Sequence, residues 1–197
     1  MSLARLVVFA SGTGSNFQAI IQASQAGELE AQVVGLVCDV PSAPVIGLAA
    51  MHHVPVLSVS PNLFANRDEY ERAILRFLEV QRTDWVALAG YMRIVGPVLL
   101  EPYVGRILNL HPALLPEFPG REAIRAAHQA GVETTGVTVH LIDSGVDTGP
   151  IVAQQELPVD SGWSLADLEE RIHRIEHELY PRVLQDLVSG KRYERTT

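Results

Sequence analysis

Leu6-Val7-Val8-Phe9-Ala10-Ser11-Gly12-Thr13-Gly14-Ser15-Asn16 stands near the start of the chain. Its first five residues are an unbroken apolar run, the composition of a central parallel strand covered on both faces. Glycines then turn the chain. Phe17, Ile20, Ile21 and Ala23 recur at helical spacing and predict a helix over residues 16–26. A strand, a glycine turn and a helix N-terminus form an anion site, because free N–H groups and the positive end of the helix dipole face whatever lies above the turn. Ser15 and Asn16 add side-chain donors. Phe17 occupies the third glycine position of a dinucleotide fingerprint, and no Gly-Lys-Ser/Thr follows, so neither that motif nor a P-loop is present. A single terminal phosphate suits such a turn. A glycine-rich strand–helix connection without any ligand is the competing local reading.

Alternation of strands and helices continues downstream. Apolar runs predict strands over 33–38, 54–59, 85–89 and 104–111, and Pro55 marks the second of these as an edge. Between them lie helical patterns over 45–53 and 66–81, the latter with Tyr70, Ile74, Phe77 and Leu78 as its apolar stripe, and a short one over 97–102. Repeated βα units predict an α/β fold with a doubly wound, mostly parallel sheet. Residues 135–142 and 151–157 alternate and are joined by a turn-rich loop. They add an antiparallel C-terminal extension, after a helix over 123–130 that Gly131 stops.

Chemistry concentrates at Asn109-Leu110-His111-Pro112. Proline ends the strand, and Asn109 and His111, two residues apart, share one face at its carboxyl end. Ligands bind at the carboxyl ends of strands in open α/β sheets. An amide beside an imidazole suits acyl transfer, the ring moving a proton and the amide holding an oxyanion. Packing and turn roles for the same two residues stand beside that reading. Gly90-Tyr91-Met92-Arg93-Ile94-Val95 ends another strand and predicts a second wall of the same cleft. Arg67, in a first helical turn, reads as an ordinary solvated arginine, and His52, His53 and His140 as structural.

The last helix starts at Ser164 with Asp167 in a capping-box position, and Leu165, Leu168, Ile172, Ile175 and Leu179 mark its core stripe. His173, Glu176, His177 and Tyr180 form a polar-tipped stripe, either solvated or turned to a cleft. Pro181 is expected to kink or end the helix, and the charged tail after Gly190 to fray.

Composition narrows the function. The chain has 197 residues, 47% of them apolar, and a net charge of −8 with no basic block. Nucleic acid is disfavoured as a partner, since phosphate neutralisation needs clustered Lys and Arg. Cys38 is the single cysteine, so no internal disulfide forms and a reducing, cytoplasmic setting is expected. No apolar run reaches the roughly 18 residues of a membrane span. No metal-ligand spacing occurs, and no metal is expected.

Together these stretches resemble the folate-dependent glycinamide ribonucleotide formyltransferase family, over almost the whole chain. The motifs are Ser11-Gly12-x-Gly14-Ser15-Asn16, Ala89-Gly90-Tyr91-Met92-Arg93-Ile94, Asn109-Leu110-His111-Pro112-x-Leu114-Leu115-Pro116, Phe118-Pro119-Gly120, Gly136-Val137-Thr138-Val139-His140, Asp147-x-Gly149-Pro150 and Glu176-His177-x-x-Tyr180-Pro181. The resemblance implies a Rossmann-like formyltransferase fold in one domain over residues 1–197. A phosphate- and ribonucleotide-binding half would span about 1–100, and a catalytic and folate-binding half about 101–190. It implies formyl transfer from 10-formyltetrahydrofolate, a co-substrate, to the amine of glycinamide ribonucleotide, by a monomer or homodimer.

The resemblance also assigns roles. Asn109, His111 and Asp147 would be catalytic, with Asp147 favouring the imidazolium form of His111. Gly14, Ser15, Asn16, Phe17 and Glu176 would bind the ribonucleotide. Arg67, Met92, Arg93, Ile94, Val95, Asn109, Asp143 and Asp147 would bind the folate, with the 143–147 loop closing over the pteridine. Glu117, Arg121 and Ile124 depart from residues common in the family and alter charge near the entrance. Alternatives are a formyltransferase on another amine acceptor, including methionyl-tRNA, or a formyltetrahydrofolate hydrolase. The RNA-binding barrel and the regulatory domain expected of those last two do not match any stretch here. A non-catalytic phosphate-binding module is a further alternative.

Overall fold

A computed structural model describes residues 3–190. Seven strands form one sheet: β1 (Ala4–Ala10), β2 (Ala31–Cys38), β3 (Val56–Ser58), β4 (Trp85–Leu88), β5 (Ile107–His111), β6 (Thr134–Leu141) and β7 (Ile151–Pro158). Their order is β3-β2-β1-β4-β5-β6-β7. The first five are parallel to their neighbours, whereas β6 runs antiparallel to both β5 and β7. The sheet is continuous across residue 100, so both halves of the chain share it.

Alternation along β1 explains its unbroken apolar run. Leu6, Val8 and Ala10 face one core with α1 (Ser15–Ala26), α2 (Val45–Met51) and α6 (Leu165–Val188). Val7 and Phe9 face the other, with α3 (Arg67–Val80) and α4 (Pro97–Leu100). The remaining helix, α5 (Ala123–Ala130), contributes Ala123 and Ala127 to the interior. Asn66 caps α3 by accepting from the Glu69 N–H, and Ser164 and Asp167 close a reciprocal capping box on α6. No described helix is long and apolar enough to cross a membrane.

Three expectations need correction. The strand leading to His111 begins at Ile107, not at Val104, because Gly105 at φ 71° turns the chain and leaves Val104 exposed. The strand expected over 54–59 shrinks to Val56–Ser58 at the sheet edge. Pro181 does not end α6, which runs on to Val188. A helix-interior proline costs about 3 kcal/mol or more. Leu179, Tyr180, Val183 and Leu184 around it are all buried, each worth about 1.5–3 kcal/mol. Packing therefore outweighs the lost N–H. The tail beyond Gly190 lies outside the described residues.

Tyr180 joins that helix to the sheet. Its buried hydroxyl lies 3.1 Å from the Leu88 carbonyl and 3.0 Å from that of Leu108, on neighbouring strands β4 and β5. Tyr180→Phe removes the donor that both carbonyls share. It should lower unfolding free energy by about 1–3 kcal/mol in urea titration, and an unchanged midpoint would refute that link.

Candidate active site

The carboxyl ends of β1, β4 and β5 open into one cleft of about 520 Å³, within the size range of small-molecule sites. The glycine turn of residues 12–16 forms one end. The 92–95 loop, residues 109–112 of β5 and its proline stop, the 143–147 loop and two residues of α6 form the rest.

At the turn, Gly14 is the N-cap of α1 at φ 85°. A Cβ there would lie 2.6 Å from Val45 Cγ2, so the missing side chain makes room for α2 as well as for the turn. Ser15, Asn16 and Phe17 then occupy the first helical turn, whose N–H groups the helix itself leaves free. Phe17 differs from expectation, because its ring is fully buried in the core beside Ile20 and Ile21. Only its backbone N–H is available to an anion.

Glu176 reaches this end from α6. Though buried, it accepts from Asn16 Nδ2 at 3.0 Å and pairs with His173 Nδ1 at 2.8 Å. That hydrogen bond, together with the carboxylate charge, holds the His173 pKa above its ordinary value against partial burial. Asn16 Oδ1 is buried without a protein partner. The polar stripe of α6 therefore faces the cleft through His173 and Glu176, while Tyr180 turns into the core.

The centre is built on Asp147, whose backbone adopts φ 54°, a left-handed conformation that Asp and Asn tolerate better than most residues. Its Oδ1 accepts from Asn109 Nδ2 at 3.3 Å and lies 3.6 Å from His140 Nε2. Its Oδ2 accepts from the Gly120 N–H at 2.8 Å and lies 3.4 Å from His111 Nδ1. The His140 ring and the Gly120 N–H together hold the Asp147 carboxyl down at about 2, against the opposing pull of burial. Asn109 Nδ2 also lies 3.0 Å from His140 Nε2. Strand pairing sets this, because Asn109 sits directly opposite His140 in the β5–β6 ladder.

His111 is almost wholly buried, with Nε2 2.8 Å from the Phe118 carbonyl. Burial pushes its pKa below the ordinary value, whereas Asp147 and the Phe118 carbonyl push it up. Asp147 thus favours the charged ring as expected, but desolvation outweighs it.

The opposite wall has its own support. Arg93 lines the cleft and donates from Nε to buried Asp39 at 2.7 Å. Met92, Ile94 and Val146 leave apolar side chains exposed at the mouth. Arg67 does not line the cleft. It donates from Nε to Glu71 at 2.9 Å and from Nη2 to the Ile94 carbonyl at 2.8 Å, bracing the loop from behind. Glu71 also accepts from the Gly96 N–H at 2.6 Å, and a Cβ on Gly96 would lie 2.5 Å from that same carboxylate oxygen. Asp143 accepts from the Thr148 hydroxyl and the Gly145 N–H, which shape its loop and lower its pKa. Arg121 spans the entrance to the Met92 carbonyl, and Ile124 lines the same side. Residues 92–95 come from the first half of the chain and Glu176 from the second, so the cleft is lined from both sides of the boundary near residue 100.

Sequence reasoning took His140 as structural, left His173 between solvent and the cleft, and passed over Asp39 and Glu71. Of these, His140 carried a usable signal, since the strand's alternation puts it with Thr138 on the face opposite Val137, Val139 and Leu141. Among the described residues, no group of three or more His, Cys, Asp or Glu is placed to hold a metal ion. A wider groove of about 790 Å³ between α1 and α6 shares only Ser15 with the cleft.

The sheet places this Asn–His–Asp cluster at the carboxyl end of β5, beside the switch point between β1 and β4 where open α/β sheets bind small molecules. The chain belongs to the formyl transferase family, whose sequence model matches residues 4–184. Within that family it is similar to phosphoribosylglycinamide formyltransferases. The enzyme of that name from Bacillus subtilis (strain 168) is 44% identical over 184 residues, covering 93% of this chain and 94% of that protein. The crystal structure of glycinamide ribonucleotide transformylase 1 from Geobacillus kaustophilus superposes with a TM-score of 0.92 at 53% identity, covering 94% of this chain and 99% of that one. That of phosphoribosylglycinamide formyltransferase from Bacillus halodurans gives 0.92 at 43% identity, over 98% and 100%.

The Asp147 environment makes a stability prediction. A carboxyl moved from 3.8 to about 2 by folding contributes about 2 kcal/mol of stability. Because the folded value is the lower one, the contribution is complete above the unfolded value and disappears as pH falls through the folded one. Asp147→Asn keeps the left-handed backbone accessible. Its stability deficit relative to wild type, measured by denaturant titration, should be full at neutral pH and shrink between 3.8 and about 2. A deficit independent of pH would contradict this.

Proposed function

We propose that the cleft transfers the formyl group of 10-formyltetrahydrofolate to the amine of glycinamide ribonucleotide, as in purine biosynthesis, releasing formylglycinamide ribonucleotide and tetrahydrofolate. One observation supports it above the rest. Asn109, His111 and Asp147 converge between an anion-type helix N-terminus and an apolar-lipped loop, so one cleft offers separate places for a phosphate, a reacting carbonyl and a ring system.

In this reading the ribonucleotide phosphate lies over Gly14 and the N–H groups of Ser15, Asn16 and Phe17, and Glu176 receives ribose hydroxyls. The folate lies along Met92, Arg93, Ile94 and Val95, with Asp143 and Asp147 from the facing loop. Arg67 supports that wall rather than meeting the ligand. Exposed Met92, Ile94 and Val146 give flat rings an apolar bed, which accounts for their exposure. The cytoplasm is the setting consistent with a buried, unpaired Cys38.

The amine lone pair attacks the formyl carbon, and the carbonyl electron pair moves onto oxygen. Asn109 and the His111 ring donate to that oxyanion. Removing a single such donor typically costs about 2.7–4 kcal/mol. The attacking nitrogen then loses a proton, N10 of the folate gains one, and the C–N10 bond breaks with its electrons going to N10. His111 is suited to that transfer by its two acceptors. A neutral ring has one N–H and leaves either the Phe118 carbonyl or Asp147 unserved, whereas imidazolium serves both. Burial disfavours the charged ring, and the developing oxyanion supplies the negative charge that tips the balance. The long contacts of Asp147 to Asn109 and His111 are the ones a substrate oxygen or a water replaces.

Variant kinetics test this. His111→Ala should lower the single-turnover rate by orders of magnitude while ribonucleotide binding stays near wild type, and near-wild-type turnover would remove the mechanism. Asp147→Asn removes a group that raises the His111 pKa, so a pH–rate profile that falls with rising pH should fall at lower pH in the variant. An unmoved limb would refute the linkage. Ser15→Ala with Asn16→Ala should raise KM for the ribonucleotide more than for the folate, and the reverse ranking would exchange the two ends of the cleft.

A further inference from the structure

Asp39 follows the last residue of β2, a strand that does not line the cleft, and sits behind Arg93, which does. Only 4% exposed, it is one of the few charged residues in the interior. Both of its oxygens are committed to parts of the site. Oδ1 accepts from the Ser11 hydroxyl at 2.5 Å, and Oδ2 accepts from Arg93 Nε at 2.7 Å. Ser11 Oγ in turn accepts from the Met92 N–H at 2.9 Å, and the Ser11 N–H donates to the Gly90 carbonyl at 3.1 Å. One buried carboxylate therefore ties the start of the glycine turn to the 92–95 loop.

The consequence lies in how Arg93 is held. A guanidinium has five N–H donors in a rigid fork. With Nε–H bound to Asp39, its two terminal NH2 groups remain for a ligand, in the planar, parallel arrangement that matches a carboxylate. A folate ends in a glutamate that carries two carboxylates. We propose that Asp39 is a positioning residue for the co-substrate: it fixes Arg93 and the 92–95 wall in the binding geometry before the folate arrives. This rests on the assignment of that wall to the folate. Held only by solvent, Arg93 would lose its rotamer freedom at the moment of binding and weaken affinity.

Asp39→Asn is a selective probe. The amide oxygen still accepts from Ser11, but the amide NH2 now faces the Arg93 N–H, donor against donor. KM for 10-formyltetrahydrofolate should rise about tenfold, with KM for the ribonucleotide within about twofold of wild type. Arg93→Ala and the double variant should resemble each other, because Asp39 acts through Arg93. An unchanged folate KM, equal shifts for both substrates, or a double variant whose effect is the product of the single ones would each overturn the proposal. A wild-type enzyme that does not use 10-formyltetrahydrofolate at all would instead remove the reading of the wall. An independent measurement needs no variant: in the substrate-free wild-type protein, NMR should resolve the Arg93 Nε–H with slow solvent exchange. Exchange as fast as that of a solvated arginine would overturn the preformed arrangement.

Discussion

Two oxygens of the Asp147 carboxylate hold the cleft together. Through them the 143–147 loop is fastened to the turn at Gly120, to Asn109 and His111 on β5, and to the His140 ring on β6. A partly buried carboxylate keeps its charge only where donors surround it. Here two of those donors, Asn109 and His111, are the groups the proposed reaction uses, and the other two, the Gly120 N–H and the His140 ring, hold the carboxylate in place. The charge that stabilises the loop is thus the same charge that biases a buried imidazole towards protonation. Its left-handed backbone is tolerated for the same reason, since the four contacts fix it from different elements.

Around this centre, the sheet supplies distance rather than chemistry. Parallel strands place the glycine turn at one end of the cleft and the 92–95 loop along a wall. The change to antiparallel pairing at β5–β6 brings His140 opposite Asn109. Helix α6 crosses behind, anchored by Tyr180 to β4 and β5, and delivers Glu176 and His173 to the glycine-turn end. Buried carboxylates at Asp39 and Glu71 brace the loop that faces them, each by binding the Nε of a half-exposed arginine.

Much of this was legible in the sequence because it is local. Apolar runs, glycine stops and caps located most strands and helices to within a residue or two, the Ser164 cap and the Gly131 stop among them, while the strand over 104–111 started three residues too early. The pairing of Asn109 with His111 followed from strand periodicity alone. Long-range partners were not legible. Asp39 and Arg93 are 54 positions apart, and Asn16 and Glu176 are 160 apart, so nothing local announces either pair. Arg67 read as solvated because its partner Glu71 lies on the apolar side of the same helix, where a charge is not expected. Phe17 stands in the binding set through its backbone N–H alone, since its helical spacing with Ile20 and Ile21 sends the ring to the core. Pro181 misled because a rule for isolated helices was applied to one whose flanking residues are buried.

The central claim is that the cleft couples folate deformylation to a ribonucleotide amine. It is tested most directly by following tetrahydrofolate formation from 10-formyltetrahydrofolate with the purified chain, with and without glycinamide ribonucleotide. The account predicts release that depends on the ribonucleotide and matches formylated product one for one. Release at the same rate without it would make the site a hydrolase, and the account of the glycine turn and Glu176 as the acceptor's seat would be wrong.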